Sequence, residues 1–253
     1  MKQHFIIQYV GNKREEVEEI FKFIDDKLEF IDTIVEPFCG SSAMSYYIST
    51  MYPHRFKYIL NDNSKNLIEL YKIAQDEKRL EKFIHKVNNL CFVDNKFVDK
   101  ETYLNILNKD DEYSFFIKNK YYYFRPAVYP RDKINKKINY EDFNKIPIIK
   151  FLRTEEVIFT NMDAVEIIKE HNNENTMLLL DPPYLDCQGN SFYDNFNMNV
   201  YEYIHSNTFF NLYLIVEYNW IIRCLFKDKI SYIYEKKYNG FKKKIVRHVV
   251  LKV

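Results

Sequence analysis

The tetrapeptide Asp181-Pro182-Pro183-Tyr184 is the densest concentration of chemistry in the chain. It directly follows an apolar run, Met177-Leu178-Leu179-Leu180, of the kind expected in a strand buried on both faces. Ligands of open α/β sheets bind beyond the carboxyl ends of such strands. Two successive prolines stiffen the backbone and aim its carbonyls in fixed directions. A carboxylate, a rigid carbonyl and an aromatic ring at one strand end suit a planar base bearing an exocyclic amine. Asp181 and the Pro182 carbonyl can accept both amine hydrogens while Tyr184 stacks on the ring. The same four residues also read as a Pro-rich turn opened by an Asp.

A second constellation is Glu36-Pro37-Phe38-Cys39-Gly40, which follows the apolar Ile34-Val35. Its glycine lets the backbone pass close to a ligand, and Glu36 sets a carboxylate beside it. Asp62 lies 22 residues after Gly40, where nucleoside-binding α/β folds place an acid that accepts ribose hydroxyls. Asp62 also reads as a capping acid for the helix that follows it. One glycine suits a nucleoside without phosphate better than a pyrophosphate, and S-adenosylmethionine fits that description.

These residues need a sheet to position them, and the pattern supplies one. Val17, Ile20, Phe21, Ile24 and Leu28 recur at helical spacing within 13–29. A strand is expected at 32–36, a helix at 43–51, a strand at 56–60 and a helix at 64–80 capped by Ser64. Residues 81–150 lose this rhythm and read as a polar, aromatic and basic insertion. It returns with a strand at 156–160, a helix at 163–170, and strands at 176–180 and 212–216. Asn239-Gly240 between 231–234 and 245–251 signals a terminal hairpin. The alternation predicts an α/β fold with a parallel sheet.

Composition excludes several classes. The glycines are Gly11, Gly40, Gly189 and Gly240, so neither GxxxxGK nor GxGxxG occurs. The four cysteines are far apart and read as small buried hydrophobes. With no CxxC, HExxH or Cys/His cluster at zinc spacing, no metal is expected. No long uncharged apolar stretch suits a membrane span, and the N-terminus carries no secretory pattern. The chain is therefore expected to be intracellular and cytoplasmic. Its wealth of Lys, Asn, Ile and Tyr suggests an AT-rich bacterial, phage or viral source.

Net charge is +1, unevenly spread. Residues 118–150 carry nine basic and three acidic side chains, and 236–253 carry seven basic and none acidic. The rest is therefore strongly acidic. Two basic segments on an acidic body suggest a polyanion bound on one side. Aromatics interleave with the first segment (Tyr121, Tyr122, Tyr123, Phe124, Tyr129), and their faces can stack on exposed bases. Lys-rich loops that are simply solvated are the competing reading.

Taken in order, the motifs resemble those of the Dam-like, alpha-group (D12 class) N6-adenine DNA methyltransferases. Tyr9-Val10-Gly11-Asn12-Lys13 is similar to the family's N-terminal cofactor motif, and Val35 to Ser42 to its first cofactor loop. Asn61-Asp62-Asn63-Ser64 resembles its ribose motif, Asn161-Met162-Asp163-Ala164 its adenine-side segment, and Asp181 to Tyr184 its catalytic motif. Departures are Ser42 in place of a second loop glycine, Asn12, and an insertion that is shorter past Arg125.

The resemblance implies a Rossmann-like, S-adenosylmethionine-dependent catalytic domain at 1–80 and 151–253, with a target-recognition insertion at 81–150. Tyr9, Lys13, Glu36, Phe38, Gly40, Asp62, Asp163 and Asp181 would meet the cofactor. Asp181, Pro182, Pro183 and Tyr184 would hold a flipped adenine. Double-stranded DNA is the expected partner, met by Lys120, Arg125, Arg131, Lys242 and Lys243. A restriction endonuclease is a second candidate partner. Transfer to N6 is expected to be direct, with Asp181 ionised and its pKa not raised. The alternatives are N4-cytosine methylation, RNA methylation, or a non-catalytic nucleic-acid-binding homologue.

Overall fold

The computed structural model describes residues 5–7, 13–121, 136–184, 199–239 and 243–253, with backbone alone at 237–239 and 243–244. In chain order its elements are α1 (Val17–Ile24), β1 (Thr33–Glu36), α2 (Ala43–Met51), β2 (Lys57–Asn61), α3 (Lys65–Gln75), α4 (Glu77–Cys91), β3 (Phe92–Val93), β4 (Lys96–Phe97), α5 (Lys100–Leu107) and α6 (Glu112–Tyr121). There follow α7 (Tyr140–Asn144), α8 (Pro147–Thr154), β5 (Glu156–Thr160), α9 (Ala164–His171), β6 (Thr176–Leu180), α10 (Asn199–Ser206), β7 (Leu212–Glu217), α11 (Trp220–Phe226), β8 (Ile230–Asn239) and β9 (Lys243–Lys252).

Seven strands form one sheet in the order β5-β2-β1-β6-β7-β9-β8. β2, β1, β6 and β7 are parallel. β9 runs antiparallel between β7 and β8. The chain travels outward from β1 to β2 and β5, then returns to the other side of β1 as β6. That reversal is a topological switch point, which opens a crevice at the carboxyl ends of β1 and β6. The fold is thus the expected Rossmann-like sheet with a C-terminal hairpin. The hairpin strands are longer than the sequence pattern predicted, and 240–242 lie outside the described residues.

Two compact units divide the chain: Lys13–Asn63 with Thr160–Val253, and Met1–Asn12 with Ser64–Phe159. In the first unit every residue of β6 is buried. Leu178 and Leu180 join Leu212, Leu214, Val216, Val249 and Leu251 in one core with Ile167 and Ile168 of α9, Val200 and Ile204 of α10, and Phe226 of α11. Each such aliphatic side chain stabilises the fold by about 1.5–3 kcal/mol. α1 buries Val17, Ile20, Phe21 and Ile24. Phe21 meets Tyr47 of α2 edge-on at 5.2 Å, and Phe23 stacks on Tyr232 of β8 at 5.8 Å. The helix expected over 13–29 is shorter, because 13–16 form a turn in which Glu16 and Val17 N–H both donate to the Lys13 carbonyl.

The second unit is helical where the sequence pattern lost its rhythm. Phe83 of α4 stacks on Tyr113 at 4.8 Å and meets Phe116 of α6 edge-on at 5.4 Å. The helix expected over 64–80 is two helices. Asp76 leaves the helical conformation, and its carboxylate accepts the Arg79 N–H at 2.8 Å, capping α4. Ser64 caps α3, accepting from Leu67 N–H at 3.4 Å. The expected insertion, 81–150, lies inside this unit, together with α3 and most of β5. Of the cysteines, Cys39 and Cys91 are buried as expected, but Cys224 is exposed on α11. Among the described residues no helix is long and apolar enough to cross a membrane.

Candidate active site

Three strand ends meet at the switch point. β1 ends on Glu36, whose side chain is buried. One of its oxygens accepts the Ser45 N–H at 2.9 Å and also the Ser45 hydroxyl. Ser42, the N-cap of α2, makes no side-chain cap bond, so the acceptor that caps this helix comes from the preceding strand. Burial pushes the Glu36 carboxyl up to about 7, against the Ser45 hydrogen bonds that lower it, and the nearby Asp181 charge adds to the rise.

Gly40 turns the chain with φ 45°, a region glycine enters without steric cost. Its N–H donates to Asp62 Oδ2 at 3.0 Å. Asp62 is therefore turned toward the glycine turn, and Ser64, not Asp62, caps α3. Asn61 joins the surrounding loops. Its amide donates to the Pro37 and Met162 carbonyls at 3.0 and 3.1 Å, while its oxygen accepts from Met162 N–H and the Thr160 hydroxyl, both at 2.8 Å. No basic side chain lies between Thr33 and Ser45. Two carboxylates and one glycine, on a loop without a basic side chain, can receive a nucleoside better than a phosphate.

At the end of β6, the Asp181 side chain keeps 23% exposure while its partner Lys13 keeps 4%. Lys13 Nζ donates to Asp181 Oδ1 at 2.5 Å and to the Tyr184 hydroxyl at 2.7 Å. The Pro183 carbonyl accepts the Tyr201 hydroxyl of α10 at 3.1 Å, which ties this loop to α10, while Pro182 is buried. The expectation of an unraised Asp181 is corrected. Burial raises its pKa, and the charge and hydrogen bond of Lys13 pull it back.

Behind Tyr184 lies a polar network that the sequence reading missed. The Tyr184 hydroxyl is 3.4 Å from His248 Nδ1, and His248 Nδ1 is 3.1 Å from Glu16 Oε2. Glu16 also accepts the Tyr234 hydroxyl at 2.7 Å and the Lys236 ammonium. His248 and Glu16 are both buried. Burial alone would raise Glu16; its hydrogen bond to His248 and the charges of Lys13 and Lys236 hold it down at about 2. The local hint was a polar histidine set within the mostly apolar run 245–251 of β9, where 248–251 are all buried.

The remaining expected residues are placed less centrally. Phe38 packs partly buried against the first unit's core. Asp163 is exposed and caps α9, accepting Val165 N–H at 2.8 Å. Lys120 is half-buried, with its ammonium 5.6 Å from the centre of the Phe143 ring, and burial lowers its pKa. Tyr121 packs edge-on against Phe97 at 5.7 Å, so of the aromatics expected to stack on bases this one serves the unit's own packing. Lys236, counted with the second basic segment, is paired with Glu16. Tyr9, Arg125, Arg131 and Lys242 lie outside the described residues, as does the side chain of Lys243.

Comparison with known proteins bears on this site. No curated protein matches the chain. Among solved structures, the rRNA methyltransferase aviRa from Streptomyces viridochromogenes is similar over 98% of this chain and 89% of its own, with 11% identity and a TM-score of 0.43. The model of the D12 class N6 adenine-specific DNA methyltransferases matches residues 9–249. With matching motifs in order and three carboxylates at adjacent strand ends, the chain belongs to the D12 class N6 adenine-specific DNA methyltransferase family.

Proposed function

We propose that the chain transfers a methyl group from S-adenosylmethionine to N6 of an adenine flipped out of double-stranded DNA. The observation that carries this reading is Asp181, set at the carboxyl end of β6 beside Tyr184 and bridged to Lys13. The strand-end donor set fits the cofactor: Asp62 beside Gly40 suits the ribose hydroxyls, and Glu36 lies beside the same loop. Phe38, Asp163, Lys13 and Tyr9 complete the proposed cofactor contacts. When bound, the cofactor supplies a sulfonium methyl, already activated, so no covalent enzyme intermediate is required.

The protein's task is to position and polarise the amine. Adenine N6 is a weak nucleophile because its lone pair is delocalised into the ring. Hydrogen bonds from N6 to Asp181 and the Pro182 carbonyl localise that pair, and Tyr184 stacks on the base. Lys13 fixes one Asp181 oxygen and leaves the other for the amine. Asp181 accepts hydrogen bonds before transfer and can take the N6 proton after it. Alignment contributes more than polarisation, because well-oriented reactants gain several kcal/mol, roughly 7–11, from entropy already lost on binding. Residues 81–150 serve as the target-recognition insertion, with Lys120, Arg125, Arg131, Lys242 and Lys243 as DNA contacts.

The test is to incubate the protein with labelled cofactor and duplexes of varied sequence, then digest to nucleosides. Label in N6-methyladenine is the expected result. Label confined to N4-methylcytosine or to RNA would overturn the reading, as would cofactor binding without any transfer.

A further inference from the structure

We propose that Glu16 and His248 are positioning residues for the transfer, acting through the Tyr184 hydroxyl; this rests on the proposed role of Tyr184 as the stacking ring. The turn at 13–16 places Lys13 and Glu16 three residues apart, on one side of the entry to α1. Along β8, Tyr232, Tyr234 and Lys236 alternate toward that helix. Tyr232 donates to Glu19 at 3.2 Å, and Tyr234 and Lys236 both donate to Glu16. Tyr234 stands directly opposite His248 in the β8–β9 register. Glu16 is thus held by the hairpin, and in turn it orients the imidazole.

An ionised Glu16 facing Nδ1 assigns the ring proton to that nitrogen. The same N–H points near the Tyr184 hydroxyl, which also accepts from Lys13. The imidazole meets the Tyr184 ring edge-on at 5.6 Å, and the Lys13 ammonium sits 5.1 Å from its centre. Contacts at the hydroxyl tip and at the ring edge determine the plane on which a base would stack. Burying the charges of Glu16 and Lys13 beside His248 costs desolvation free energy, and apolar side chains of equal volume would stabilise the fold as well or better. Their chemistry serves the tyrosine they surround.

The experiment is a double-mutant cycle in steady-state kinetics on a methylatable duplex, with thermal unfolding of every variant. His248→Leu lowers kcat about tenfold or more, as expected for a displaced reacting group, and changes cofactor KM little. His248→Asn, which restores an N–H near Nδ1, recovers most of that loss. Tyr184→Phe, which keeps the ring and removes the hydroxyl, lowers kcat comparably, and adding His248→Leu in that background costs nothing further. A merely structural His248 would instead lower kcat equally in both backgrounds, and that multiplication of losses overturns the proposal, as does wild-type kcat in His248→Leu. Should His248→Leu fail to fold, Glu16→Gln carries the same comparison in both backgrounds. A wild-type protein that never methylates adenine would reject the proposed function and this role together, whereas additive losses in an active enzyme reject only the positioning role.

Discussion

Replacing Glu36 by Gln tests how the crevice treats a buried carboxyl. In the unfolded chain Glu36 titrates near 4.5, and in the folded protein near 7. Between these values the folded protein keeps a proton that the unfolded chain has released. Unfolding then releases a proton, so stability falls as pH rises through this window. The contribution of Glu36 is full below pH 4.5 and is lost as pH passes about 7. At about 1.4 kcal/mol per pH unit, the loss comes to about 3 kcal/mol. Gln keeps an oxygen for the Ser45 N–H and hydroxyl and cannot ionise. Glu36→Gln should therefore match wild type near pH 5 and exceed it by about 3 kcal/mol at pH 8. Urea unfolding of cofactor-free protein across that range measures the difference. Asp181, raised by burial, and His171, lowered by burial, are shared by both proteins and largely cancel. Glu16, held near 2, loses its contribution only as pH falls below 4.5, outside the window. Parallel stability profiles for the two proteins from pH 5 to 8 would refute the reasoning.

Other outcomes follow from the same geometry. Asp181→Ala should cost about 100-fold or more in transfer rate, on the scale of one missing catalytic hydrogen bond; a rate within a few-fold of wild type would remove Asp181 from the mechanism. Asp62→Ala should weaken cofactor binding by calorimetry while leaving DNA binding intact, and unchanged cofactor affinity would show that Asp62 serves only to hold the Gly40 turn. Removing Lys120, Arg125 and Arg131 together should flatten the salt dependence of DNA binding by about 0.9 for each phosphate no longer neutralised, and an unchanged slope would remove these three side chains from the DNA contact. Lys236→Gln should leave that slope alone and destabilise the fold by on the order of 3 kcal/mol, because a buried Glu16 loses a partner; equilibrium unfolding and salt titration separate the two effects.

The sequence alone determined the parts of the molecule that depend on local pattern. The apolar run 177–180 read as a strand buried on both faces, which set Asp181 at a strand's carboxyl end, and β6 is that strand. The 22-residue spacing pointed to Asp62 as a ribose acceptor or a helix cap; the structure gives the cap to Ser64 and sets the Asp62 carboxylate on the Gly40 N–H. Residues 64–80 misled because helical periodicity continues across Asp76, and only the capping of α4 shows where one helix stops and the next begins. Residues 81–150 do carry helical rhythm, with Phe83, Ile84, Val87 and Cys91 recurring on one face of α4, but their polar and basic composition masked it. Tertiary structure alone decided the network behind Tyr184. Glu16 and His248 are 232 residues apart in sequence, and neither carries a motif. They meet because β9 enters the sheet between β7 and β8 while α1 packs across the same strands. Desolvation and charge pairing, the forces that set the ionisation of Glu16, exist only once the strands and α1 have packed, and no local stretch of sequence encodes them.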